Sequence, residues 1–164
     1  MSRIDRKSVI RVHRVMRNIE IIIGSQMGSA EYVAEQLAEQ LDASEFSTHL
    51  HEQPDLNACQ HPLWLVVTST YGAGDYPDNL LPFIEQLTQH DDLSHIRFAV
   101  VGIGDSSYDT YNLAASNCAQ LLTDKGAQQL LPVLKVDVQD EALPEDAAIA
   151  WLPELTQQLS LAAQ

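Results

Sequence analysis

The chain has 164 residues, 45 % of them apolar, which suits one compact domain of ordinary size. Nine lysines and arginines stand against twenty-three aspartates and glutamates, a formal charge of −14. A surface this acidic repels phosphate backbones and anionic lipid headgroups, which argues against nucleic acid or membrane partners.

The charge is unevenly spread. Residues 1–18 hold Arg3, Arg6, Lys7, Arg11, Arg14 and Arg17 against the single acid Asp5, and the remainder has only Arg97, Lys125 and Lys135 as bases. This basic stretch lacks the apolar core and cleavage site of a signal peptide, and no run of about 18 apolar residues exists, so a cytoplasmic location is expected. Residues 1–18 are expected to be a basic N-terminal extension, either disordered or, before Met16, the product of an upstream start; residues 19–164 are expected to form the domain.

In chain order, Ile19-Glu20-Ile21-Ile22-Ile23 is a β-branched run closed by Gly24, and apolar residues recur at Val33, Ala34, Leu37, Ala38 and Leu41. That spacing predicts a buried strand and then an amphipathic helix over Ser29 to Leu41. Phe46 to His51 alternates and reads as an edge strand. Leu63 to Thr68 is a second apolar run, followed by a loop rich in Gly and Asp and a helix over Asn79 to Leu87. Arg97 to Ile103 is a third, leading through another glycine turn into a helix over Tyr111 to Asp124 that Lys125-Gly126 closes in the manner of a C-cap. Leu130 to Val138 predicts the last strand and Glu145 to Leu161 the last helix. Pro144 is acceptable just ahead of that helix, whereas Pro153 implies a kink or a later start.

Strands apolar on both faces and separated by helices imply a covered parallel sheet. Five such units predict an α/β fold, a doubly wound five-stranded parallel sheet of order 2-1-3-4-5 with helices on both faces. Ligands then bind outside the carboxyl ends of the strands, so the loops after strands 1, 3 and 4 are the candidate site.

The first loop, Gly24-Ser25-Gln26-Met27-Gly28-Ser29-Ala30, offers small residues, hydroxyls and backbone N–H groups at a helix start, where an anion is favoured. Without lysine or a GKS ending it is no nucleoside-triphosphate loop, and a plain helix start capped by Ser25 or Ser29 is the competing reading. In the second loop, Tyr71-Gly72-Ala73-Gly74 exceeds what a turn requires, although Asp78 or Asn79 can cap the following helix. In the third, Tyr108 and Tyr111 follow Gly104-Asp105-Ser106-Ser107. The two aromatic loops together suit a planar ring held between flat faces.

In order and spacing these loops resemble the FMN site of the flavodoxin family, most closely its short MioC-like members, and also the FMN domains of diflavin reductases. Ser25-Gln26-Met27-Gly28-Ser29-Ala30 resembles the phosphate loop, Ser69-Thr70-Tyr71-Gly72-Ala73-Gly74 the loop over one flavin face, and Gly104-Asp105-Ser106-Ser107-Tyr108 with Tyr111-Asn112 the loop over the other. The resemblance spans about Ile19 to Leu159, with further matches at Pro77-Asp78-Asn79-Leu80 and Leu143-Pro144-Glu145-Asp146. It implies non-covalent FMN, Tyr71 and Tyr108 on opposite faces of the ring, and a Gly72 carbonyl that turns toward it. Met27 departs from the family's usual threonine and removes one hydroxyl from the phosphate loop. The expected activity is single-electron carriage by a monomer from an NADPH-dependent flavodoxin reductase to a basic-faced iron–sulfur or radical enzyme, with no catalytic residue of its own.

A phosphoacceptor receiver shares the strand order but needs an acidic pair after strand 1 and an aspartate after strand 3, where this chain has Gly24-Ser25 and Thr68-Ser69. A flavodoxin-like module without FMN, acting in regulation or interaction, is the alternative. Cys59 and Cys118 form no CxxC pattern and read as small apolar residues. His49 and His51, on an edge strand, read as solvent-facing, so no metal is expected there or at His61.

Overall fold

The computed structural model describes residues 17–26 and 28–162. The expectations for residues 1–16 and for Met27 lie outside them, and Arg17 and Asn18, grouped by charge with the extension, lie in the first strand.

The elements are β1 (Arg17–Gly24), α1 (Ser29–Asp42), β2 (Phe46–His51), a 3-10 turn (Leu56–Ala58), β3 (Leu63–Ser69), α2 (Leu81–Gln89), β4 (Arg97–Gly104), α3 (Leu113–Asp124), β5 (Gln128–Gln129), β6 (Leu134–Asp137) and α4 (Pro144–Ala162). All pair in parallel in the order β2-β1-β3-β4-β5, and β6 pairs with β4 beyond β5. The predicted doubly wound α/β sheet is therefore present, with its fifth position filled by two short strands. The break replaces the single strand expected over Leu130 to Val138. Leu130 still donates to the Phe98 carbonyl, but Pro132 has no N–H to continue the ladder, and pairing resumes at Leu134.

Alternation along each strand divides the apolar residues between two cores. Ile21, Ile23, Leu65 and Val67 pack with α1 and α4 residues such as Leu37 and Leu155. Ile22, Trp64 and Val66 pack with Phe83 and Leu87 of α2 and Cys118 and Leu122 of α3. The central strands β1, β3 and β4 are thus sealed on both faces, as their unbroken apolar runs require. Pro153 lies inside α4 rather than delaying its start, and its exposed position places the missing N–H on the wet side of the helix.

Helices α2 and α3 each begin two residues later than the periodicity predicts. Asn112 takes the left-handed conformation at φ 53°, which ends the preceding turn before α3 can start. Asn79, read as a helix cap, is used elsewhere, and Leu80 occupies the cap position without a side-chain hydrogen bond. As predicted, α3 ends at Lys125-Gly126, with Gly126 at φ 97°.

The registers Gly24↔Thr68, Ser69↔Ile103 and Gly104↔Asp137 align the carboxyl ends of β1, β3, β4 and β6 along one edge of the sheet. Arg17 and Arg97, the first residues of β1 and β4, line a cleft at the opposite edge. Lys125 also lies there, its carbonyl accepting from Leu93 N–H just ahead of β4.

The β2 histidines do not face solvent as expected. His49 Nε2 lies 2.9 Å from Asn18 Oδ1 and His51 Nε2 2.6 Å from Glu20 Oε1, because Glu20 pairs with His49 and all three share the face of Ile22. Burial pushes the Glu20 carboxyl up, but hydrogen bonds from His51 and His61 outweigh it and leave the group below its ordinary value.

Candidate cofactor-binding site

The loop after β1 is held from two sides. Asn79 Oδ1 accepts from Ser25 N–H at 2.9 Å, while its Nδ2 donates to the Ile23 carbonyl at 2.7 Å and the Glu52 carbonyl at 2.8 Å. The Tyr71 hydroxyl accepts from Gln26 N–H at 3.1 Å. Ser25 Oγ accepts from Gly28 N–H, and Gly28, at φ 89°, occupies the α1 cap position without a side-chain cap bond. Among the described residues neither Ser25 nor Ser29 caps the helix, which leaves its first-turn N–H groups without a side-chain cap. Ser29 Oγ lies 3.4 Å from Ser69 Oγ, joining this loop to the end of β3. Ala30 is fully buried beneath it in the α1 core.

After β3 the chain makes a tight turn. Tyr71 N–H donates to the Asp75 carbonyl, and Gly74 and Asp75 N–H both return to the Tyr71 carbonyl. Gly72 at φ 53° and Gly74 at φ 98° supply the left-handed conformations this requires. Thr70 Oγ1 accepts from Ala114 N–H at 3.0 Å, which docks the turn on the start of α3. Thr110 Oγ1 donates to the Gly72 carbonyl at 3.3 Å.

The loop after β4 is organised around carboxylates. Asp105 accepts from Ser107 N–H and Oγ–H and from Gln139 Nε2, while Asp137 accepts from Ser106 N–H and Gln139 N–H. The Ser107 bonds, side chain before backbone, hold the Asp105 carboxyl below its usual range, and those from Ser106 and Gln139 do the same for Asp137. Both are therefore anionic at neutral pH. Tyr111 donates to the Lys135 carbonyl at 3.3 Å; burial, with the nearby Asp137 charge, pushes its phenol up.

The three loops enclose a cleft of about 800 Å³. Ser29, Ser69, Thr70, Tyr71 and Gly72 line one side, Gly104, Asp105, Tyr108, Tyr111 and Asn112 the other. Ser25, Gln26 and Gly28 continue from the Ser29 end. Ser106 and Ser107 are exposed in the turn that supports Tyr108, and Ala73 and Gly74 line a separate shallow cleft with Leu113. Sequence reasoning missed Ile103, Thr110 and Val138, which also line the cleft, and the supports Asn79, Asp137 and Gln139. Thr110 stood within the third loop and was legible there; Val138 and Gln139 come from the far side of β6 and carried no signal. Asp140, just after β6, is exposed and does not line the cleft.

The residues present fit a mononucleotide with a planar ring. The volume is that of a small-molecule site, the tyrosines offer flat faces from two adjacent loops, and an uncapped helix start lies at one end. Among the described residues, Asn112 Oδ1 is the one buried side-chain polar atom without a partner, and it belongs to this cleft. Such an atom costs stability until a donor reaches it.

Residues 21–151 match the family model described as Flavodoxin. Protein MioC of Escherichia coli O157:H7 is 46 % identical over 141 residues, covering 84 % of this chain and 95 % of that protein. NADPH-dependent diflavin oxidoreductase 1 of Bos taurus is 34 % identical over 142 residues, covering 82 % of this chain and 24 % of that larger protein. Among solved structures, a cysteine-to-alanine mutant of flavodoxin from Pseudomonas aeruginosa superposes with a TM-score of 0.81 at 31 % identity, over 87 % of this chain and 99 % of that one.

Proposed function

The chain belongs to the flavodoxin family and is in that general sense an FMN-binding electron carrier, and we propose that it passes single electrons from an NADPH-dependent flavodoxin reductase to a basic-faced iron–sulfur or radical enzyme of biosynthesis. The observation that carries this reading is the convergence of three loops, from β1, β3 and β4, on one cleft that holds three tyrosines and a helix start without a side-chain cap. FMN, when bound, supplies the one-electron chemistry.

The chain's own residues bind and orient. Ser25, Gln26, Met27, Gly28, Ser29 and Ala30 form the phosphate loop in this reading, with Asn79 fixing its start. Tyr71 and Tyr108 cover the ring, and Ser69, Thr70, Tyr111 and Asn112 close its edges. The Gly72 carbonyl, now accepting from Thr110, would be free to turn toward a bound ring and accept a hydrogen bond from it. Glycine makes this peptide rotation sterically inexpensive. Asp105 and Asp137 keep the third loop in place while placing negative charge at the rim, which disfavours extra charge on the cofactor. No residue is assigned an acid–base or nucleophilic step.

The test is the visible spectrum of the purified protein. A yellow protein carrying about one FMN per chain is expected. A colourless protein that takes up no added FMN overturns the reading in favour of a regulatory or interaction module.

A further inference from the structure

Glu20 is the only acidic or basic residue buried among the described residues, and its side chain is 2 % exposed. One carboxylate oxygen is fully engaged: Oε2 accepts from Gln60 N–H and His61 N–H at 3.1 Å each and lies 2.6 Å from His61 Nδ1. Oε1 points instead at His51 Nε2, 2.6 Å away. Beside them the Cys59 thiol, free and buried, completes a set in which the carboxylate, imidazole and sulfur atoms all lie within 4.8 Å of one another. None of these residues lines the cofactor cleft, and electron carriage makes no use of them.

We propose that Glu20, His51 and Cys59 form a binding site for a borderline transition-metal dication, with zinc the best fit. One thiolate, one imidazole and one carboxylate match zinc's preferences and not those of calcium or magnesium, which take oxygen alone. Tetrahedral coordination at zinc separates donor atoms by roughly 3.3 to 3.8 Å, given bond lengths of about 2.0 to 2.3 Å. The His51 and Glu20 donors, now 2.6 Å apart, therefore need to part by about 1 Å, a shift that a small χ rotation of the edge-strand imidazole supplies. His61 is the positioning residue: its ring and N–H hold Oε2, so Oε1 is presented to the ion, and its ring is itself fixed by stacking on His49 at 4.9 Å. The fourth position remains for water. On binding, one proton leaves Cys59 Sγ for solvent, and the proton between His51 and Glu20 leaves Nε2 for solvent or Nδ1; no electron moves. His51 and His61, whose side chains are 15 % and 36 % exposed, provide the access path. The spacing of the cysteines points away from zinc because these donors meet only through β1–β2 pairing and the connection into β3.

The test uses the full FMN-loaded chain, stripped with chelator under reducing conditions, then dialysed against zinc. About one zinc per chain is expected, with one sulfur neighbour at about 2.3 Å in zinc-edge X-ray absorption. Cys59→Ser and His51→Gln should each weaken binding at least about tenfold, and His61→Gln by about 10- to 100-fold, with the FMN spectrum unchanged. Zinc not retained by the wild type, a zinc environment without sulfur, or wild-type affinity in Cys59→Ser or His51→Gln overturns the proposal. Where a variant loses FMN as well and has therefore failed to fold, the wild-type sulfur signal decides alone. Zinc binding by a colourless wild type upholds the metal site while the FMN reading falls.

Discussion

Asn112 is wedged between two glycines that leave it no room to retreat. A Cβ built on Gly102 falls 2.6 Å from Asn112 Oδ1 and 2.7 Å from Ala115 Cβ, and one on Gly104 falls 2.7 Å from the same oxygen. Gly102→Ala is therefore expected to cost about 1 to 3 kcal/mol in urea denaturation and to weaken FMN by displacing the third loop. Tyr108 is the opposite case. It is 66 % exposed, so Tyr108→Ala should change stability by no more than about 0.5 kcal/mol while raising the FMN dissociation constant and shifting the reduction potentials. An unaltered dissociation constant would remove Tyr108 from the site. Glycines and tyrosines after apolar runs are visible in the sequence because their residue types alone imply turns and flat faces. Glu20 is not, since it hides in a β-branched run, and its partners His51 and His61 are 31 and 41 residues away.

At the scale of elements, the apolar runs and periodic patterns predict four strands and four helices to within a residue or two, because the β1, β3 and β4 runs are sealed on both faces and admit few other uses. The departures have local causes: Pro132 interrupts the fifth strand, and left-handed Asn112 delays α3. Asn79 shows why site supports are harder to read. Its amide joins the end of β1, the segment after β2 and the entrance to α2, through partners 54, 56 and 27 residues distant. Removing it strands two carbonyls and an N–H, so Asn79→Ala should lower stability by about 1 to 3 kcal/mol and loosen FMN together. Calorimetric unfolding and FMN titration check this, and loss of stability with unchanged FMN affinity would separate the support from the site.

For the whole molecule, charge decides how partners arrive. With −14 on the chain and Asp105 and Asp137 held anionic at the cleft rim, reduction by an NADPH-dependent flavodoxin reductase should slow as salt rises toward about 0.15 M, where screening acts within roughly 8 Å. Stopped-flow reduction across a salt series measures this, and a rate indifferent to salt would deny the acidic rim a part in docking. Total charge is legible from composition, but its placement needs the fold, because only the parallel sheet puts β1 and β4 starts at one edge and their loops at the other. Three of the four bases among the described residues, Arg17, Arg97 and Lys125, stand at the edge away from the cleft. Among the described residues, most bases thus lie at one end of the strands and the anionic Asp105 and Asp137 at the other, an asymmetry through which a positively charged partner exerts a torque before contact. Rotation in that field brings the cleft round to lead the approach, so the separation of bases from the site acts as a compass as well as a charge.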